Sequence, residues 1–96
     1  MIVPDRVVDT PVLQRISQDI GNDWTSLGRQ LGCTDADLDA MNFDYRHCGQ
    51  REVAYQMLRC WHERTGSDAK LAVLARALVR IGRPDIALKL QQPPRQ

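Results

Sequence analysis

The stretch Asp23-Trp24-Thr25-Ser26-Leu27-Gly28-Arg29-Gln30-Leu31-Gly32 constrains this chain more than any other. Trp24, Leu27, Gly28 and Leu31 recur at i, i+3, i+4 and i+7, the period of one helical face, and Gly32 ends the run. A helix this short is unstable alone and must bury its indole against elements distant in sequence. The second tryptophan, Trp61, sits in the long segment Gln50–Thr65, with a further helix led by Thr34 between the two. Several short amphipathic segments sharing two large indoles imply a small antiparallel helical bundle.

The remaining punctuation agrees. Thr10-Pro11 reads as an N-cap followed by proline at the first helical position, where a missing N–H costs nothing. Val12, Leu13, Ile16 and Ile20 then form an apolar stripe, and Gly21 supplies a left-handed stop. Asn22 or Asp23 caps the second helix. Thr34-Asp35-Ala36-Asp37 has the form of a capping box, with Leu38 and Met41 pointing inward, and 42–49 reads as a loop. In the fourth segment Val53, Ala54, Met57, Leu58 and Trp61 make a seam, and Gly66 closes it. Ser67-Asp68 reads as the cap of a fifth helix with the stripe Leu71, Leu74, Ala75, Leu78 and Val79, ending at Gly82. Arg83-Pro84-Asp85 restarts a short sixth helix carrying Ile86, Ala87 and Leu90, and Pro93-Pro94 stops it. No useful run alternates with period two, so the expected class is all-α, a six-helix antiparallel bundle.

Length and composition set the outer limits. Ninety-six residues make one domain, and 43% hydrophobic residues are too many for a disordered segment. No apolar run approaches the roughly 20 residues that span a bilayer, and Pro4, Asp5 and Arg6 interrupt any signal-like start. A cytoplasmic domain, or one cut from a longer cytoplasmic protein, is expected. Residues 1–8 read as a flexible N-terminal segment, 9–91 as the folded domain and 92–96 as a Pro/Gln tail.

Three cysteines, Cys33, Cys48 and Cys60, fit a reducing compartment better than a disulfide framework. His47, Cys48, Cys60 and His62 match no usual zinc spacing, so no metal and no cofactor is expected. Catalysis is not expected either. Cys60 and His62 are two apart on a helix and point to different sides, and no phosphate loop, oxyanion loop or carboxylate pair is evident.

Charge is divided unevenly. Residues 1–50 carry four arginines against eight aspartates, a balance of −4; residues 51–96 carry nine lysines and arginines against four acidic residues, a balance of +5. A chain so polarised suits contact between unlike faces better than contact with a polyanion.

The run Asp23-Trp24…Leu27…Arg29-Gln30-Leu31-Gly32 recurs in a recognisable company. Asp37-Leu38-Asp39-Ala40-Met41, Asp44-Tyr45, Tyr55-Gln56-Met57-Leu58-Arg59-Cys60-Trp61 and Leu74-Ala75-Arg76-Ala77-Leu78 follow it. Together they resemble the death domain over about residues 8–90. Within that superfamily the look is nearest to the death domains of receptor-interacting kinases, the Fas-associated adaptor and the insect Imd-type immune adaptor. Cys33, where relatives often carry a larger apolar residue, and His47-Cys48-Gly49 depart from the pattern. The resemblance implies a Greek-key six-helix fold and a non-catalytic adaptor that binds other death domains homotypically. It further implies self-association into higher oligomers and assembly of apoptotic or innate immune, NF-kB-type signalling complexes.

Individual residues divide accordingly. Trp24, Leu27, Leu31, Leu38, Leu58, Trp61, Leu74 and Leu78 are core candidates; truncating either tryptophan should cost roughly 3–5 kcal/mol. Asp35, Asp37 and Asp39 form an acidic knob at a helix start; capping and the helix dipole explain one or two of them, and the resemblance favours the set as a partner contact. Arg51 and Arg59 lie on the outer side of the fourth helix, with Glu63 one turn after Arg59. Arg76, Arg80 and Arg83 read as a basic strip without acidic neighbours, suited to bidentate carboxylate contacts. Tyr45 and Arg46 are rim contacts, and the resemblance adds Arg29 as a contact position. The expected partners are other death-domain proteins, with no nucleic acid and no membrane insertion. The competing reading is a small helical nucleic-acid-binding domain that uses the basic C-terminal half.

Overall fold

Residues 7–91 are described by a computed structural model of the chain. Helix α1 (Thr10–Asp19) starts one residue earlier than the sequence suggested. Asp9, not Thr10, is the cap: its carboxylate accepts the Val12 N–H at 3.3 Å, and Pro11 fills the first turn. A single 3-10 turn, Gly21–Asp23, opened by Gly21 at φ 56°, leads into α2 (Trp24–Gln30). The expected Asp23 cap is not made, because the carboxylate is drawn away to Arg83.

Helix α3 spans Asp35–Tyr45 and corrects the expected loop over 42–49. Thr34 closes a full capping box with Asp37, 3.0 and 3.1 Å in the two directions, and nothing in Met41-Asn42-Phe43-Asp44-Tyr45 breaks a helix so nucleated. Leu38, Met41 and Tyr45 give it an inward side, so packing carries it on to Tyr45. A 3-10 turn over Arg46–Cys48 and Gly49 at φ 102° then redirect the chain. Helix α4 (Gln50–Thr65) follows, the longest, and closes at Gly66.

Ser67-Asp68 does not cap the next helix. Gly66–Asp68 forms another 3-10 turn, Ala69 is buried, and α5 (Leu71–Arg80) starts from extended Lys70. Val79, expected in the buried stripe, lies 55% exposed; Ala77 takes the inward place. Helix α6 (Pro84–Gln91) turns back along α5 and buries Ile86, Ala87 and Leu90.

The six helices of the described residues form the antiparallel bundle, with an isolated bridge between Val7 and Lys70 as the one β-type pairing among them. Helix α4 runs through its centre and packs on α1, α2 and α3; α5 packs on α6 and α2, and α1 reaches α6. Trp24, Leu27, Leu31, Leu38, Leu58, Trp61, Leu74 and Leu78 are all buried in one cluster. Gly28 lets α2 approach: a Cβ there would stand 2.6 Å from Leu38 Cδ2 and 3.4 Å from Met57 Cγ.

The packed part begins ahead of residue 9. Val8 is buried, its N–H donates to the Ala69 carbonyl at 2.7 Å, and its own carbonyl meets His62 Nε2. Residues 1–6 and the Pro/Gln segment 92–96 lie outside the described residues.

Candidate interaction faces

Capping and packing decide which charged side chains remain for a partner. At the start of α3 the three aspartates take different roles. Asp37 accepts the Thr34 N–H, and this bond with the Thr34 hydroxyl holds its carboxyl below the usual carboxylate range. Asp35 pairs with Arg29 across the α2–α3 corner at 2.9 Å, both side chains exposed. Asp39 has no partner among the described residues. Trp24, Thr25, Arg29, Asp35, Leu38, Asp39 and Asn42 line an open groove of about 450 Å³ there. Arg29, Asp35 and Asp39 are therefore brought together, over the edge of Trp24, while Asp37 belongs to the cap.

A second shallow groove, about 350 Å³, lies between α1 and α4 and is lined by Gln14, Ser17, Gln18, Arg51, Glu52 and Tyr55. Arg51 is exposed at the first turn of α4. Glu52 is held by the Gln56 amide at 2.7 Å. Arg59, further along, is engaged by Glu63 at 3.1 Å, an exposed one-turn pair worth about 0.3–0.5 kcal/mol at most. Tyr45 is half-buried against the core, and Arg46 lies over the Phe43 ring, 5.7 Å from its centroid.

The expected strip Arg76–Arg80–Arg83 is broken by the fold. Arg76 and Arg80 stand exposed on the outer side of α5, with no ion pair among the described residues. Arg83 does not join them. Its guanidinium fork donates to the carbonyls of Asp19 and Ile20 at 3.0 and 3.1 Å, to the Asp23 carboxylate at 2.9 Å, and to both oxygens of Asp85 at 3.3 Å. Those carbonyls lie at the C-terminal end of α1, where a cation is favoured, and that of Ile20 also accepts the Asp23 N–H. The reading of Arg83 as a site without acidic neighbours fails because the carboxylates come from 60 residues upstream and two downstream. Arg64 has a similar duty at the end of α2, where it donates to the Leu31 carbonyl at 3.1 Å.

Cysteine chemistry divides the same way. Cys33 is buried, and desolvation pushes its thiol pKa up despite the hydrogen bond and charge of Arg64, which keeps it protonated. Cys48 and Cys60 are exposed free thiols. Among the described residues no group of His, Cys, Asp and Glu is arranged to hold a metal ion. No helix there is long and apolar enough to cross a membrane.

The residue missed by the sequence reading is Phe43, 72% exposed and the most exposed large hydrophobic side chain among the described residues. Its signal was available. Ala36, Ala40 and Phe43 recur at i, i+4 and i+7 on the side of α3 opposite Leu38, Met41 and Tyr45. Assigning 42–49 to a loop concealed that second stripe.

Comparison with known proteins follows the same lines. The sequence model described as "Death domain" matches residues 11–93. Human receptor-interacting serine/threonine-protein kinase 1 is 35% identical over 79 residues, covering 81% of this chain and 12% of that protein. The Xenopus laevis tumor necrosis factor receptor type 1-associated DEATH domain protein is 31% identical over 91 residues, covering 90% of this chain and 30% of that protein. The rat death domain-containing membrane protein NRADD is 37% identical over 70 residues, 73% of this chain and 28% of that protein. The chain thus spans less than a third of the length of these relatives.

Proposed function

The chain belongs to the death domain family, and on that premise we propose that it recruits other death-domain proteins to signalling complexes of the apoptotic or NF-kB type, in the cytoplasm. Its relatives are a signalling kinase, a receptor-associated adaptor and a membrane protein, so a homotypic protein-interaction module is common ground among them. The observation that carries the reading is the set of charges that stay exposed after folding, whether paired with a surface neighbour or not. Arg29, Asp35 and Asp39 gather on the α2–α3 side, Arg51 and Arg59 lie along α4 with Tyr45 and Arg46 at its approach, and Arg76 and Arg80 stand on α5. Unlike charges on separate sides of one small domain favour contacts between different surfaces of neighbouring modules.

The test is co-elution with a panel of death domains at low and high salt, using the double reversals Asp35→Lys/Asp39→Lys and Arg76→Glu/Arg80→Glu. Binding that weakens with salt and is lost for at least one reversal is expected. Indifference of every pairing to both reversals would sink the assignment of faces. DNA binding in a gel shift with a steep salt dependence, and no death-domain binding, would replace the adaptor reading by a nucleic-acid one.

A further inference from the structure

Two outer helix faces of this domain carry both exposed apolar side chains and charges unanswered among the described residues, and their signs are opposite. On α3 the Phe43 ring sits at the end of the line Ala36–Ala40–Phe43, all three exposed, with Asp39 on one flank and Asp44 on the other. Arg46 braces the ring from its own 3-10 turn. Neither Asp39 nor Asp44 has a partner among the described residues, so two aspartates against one arginine keep the face acidic. On α5 the outward side carries Arg76 and Arg80, between Val73, 37% exposed, and Val79, 55% exposed.

We propose that the Phe43 face of α3 docks on the Val73–Arg76–Val79–Arg80 face of α5 in a second copy of this chain. The inference rests on the reading of the domain as a homotypic module and names one surface pair within it. Valine methyls and the aliphatic stems of the arginines cover the exposed ring, while the two guanidiniums reach the flanking aspartates. A single copy cannot satisfy itself. Helix α3 packs mainly on α4 and α2, and α5 on α6 and α2, so both faces point away from the core they share. The contact is therefore heterologous: each copy keeps one unused α3 face and one unused α5 face, and chains can grow head to tail. It leaves Arg83 out, because that side chain is tied to α1, the turn before α2 and α6.

Sedimentation velocity over rising concentration at low salt tests the pairing. The unaltered chain should self-associate, and Phe43→Ala or Arg76→Glu/Arg80→Glu should each weaken association by at least about tenfold. Both sites are exposed, and unchanged thermal melts would show that the variants fold. The deciding arm mixes the two variants: one keeps its α5 face and the other its α3 face, so a one-to-one pair should form that grows no further. A monomeric unaltered chain, unaltered association in both variants, or a mixture that stays monomeric would each overturn the pairing. Parallel co-elution with the death-domain panel separates this failure from the wider one. A monomer that still binds a foreign death domain overturns only the self-pairing. Self-association with the expected mixing behaviour and no foreign partner overturns only the recruitment reading.

Discussion

Arg76 and Arg83 are seven residues apart and carry the same guanidinium, yet the fold gives them opposite environments. Around the α5–α6 turn, Arg83 donates to two backbone carbonyls and two carboxylates with its side chain 25% exposed. On the outer side of α5, Arg76 and Arg80 are exposed and make no ion pair among the described residues. The same division runs through the acids: Asp23, Asp85 and Asp37 complete the fold, whereas Asp39 and Asp44 do not. Net charge therefore measures binding potential poorly. The balance of −4 and +5 between the two halves includes charges that neutralise each other inside the molecule, and only the residue left over can steer a partner.

The sharpest way to break this comparison is Arg83→Ala. It removes the side-chain donors from the end of α1, where the Ile20 carbonyl keeps only the Asp23 N–H, and leaves Asp23 and Asp85 without their cation. Hydrogen bonds to charged groups typically contribute about 1.5–3 kcal/mol, and this cluster shares one partly buried fork, so a loss of about 2–3 kcal/mol is expected. For a domain of this size that lowers the melting temperature by on the order of 10 °C. Arg83→Lys keeps the charge but cannot reproduce the planar fork, and should recover less than half of the loss. A melt unchanged by Arg83→Ala would return Arg83 to the binding set.

A smaller loss is expected at the start of α3. Thr34→Ala removes the hydroxyl that accepts the Asp37 N–H and should destabilise by about 1 kcal/mol, read from chemical denaturation. Asp37 itself supplies a pH signature. Its pKa is lowered in the fold by the Thr34 N–H and hydroxyl, as that of Asp85 is lowered by Arg83. A carboxylate whose pKa is lower folded than unfolded adds stability above its unfolded value, near pH 4, and the addition fades as pH falls toward the folded value. Stability should therefore slope downward below about pH 4, and Asp37→Asn and Asp85→Asn should each flatten that slope.

Much of this architecture was readable in the chain, for reasons visible at single residues. Trp24, Leu27 and Leu31, or Leu74, Ala75 and Leu78, sit at helical spacing, and burial follows from spacing. The Thr34–Asp37 box was legible because all its atoms lie within one turn. The failures share a cause. Asp23 looked like a cap and Arg83 like a surface charge because the contact joining them crosses 60 residues, and local pattern carries no such information. Phe43 was hidden by the opposite error. A charged, weakly patterned run read as loop, when the capping box ahead of it and Tyr45 behind it hold it helical.

The smallest expected effect on stability is the most informative about function. Arg76→Ala and Arg80→Ala remove solvated side chains from an exposed helical face, so each should change stability by less than about 0.5 kcal/mol, with alanine's helix propensity offsetting part of any lost packing. If these charges serve a partner instead, their removal should act on association. The association rate and its salt dependence should fall for the double alanine variant while the melt stays within error. Arg83→Ala should show the reverse ordering, a large change in melting with partner binding, measured well below the melt, little altered. Finding both arginine classes equally costly to the fold would erase the distinction. Finding Arg76 and Arg80 silent in both measurements would move the binding face elsewhere on the domain, with the α2–α3 groove over Trp24 next in line.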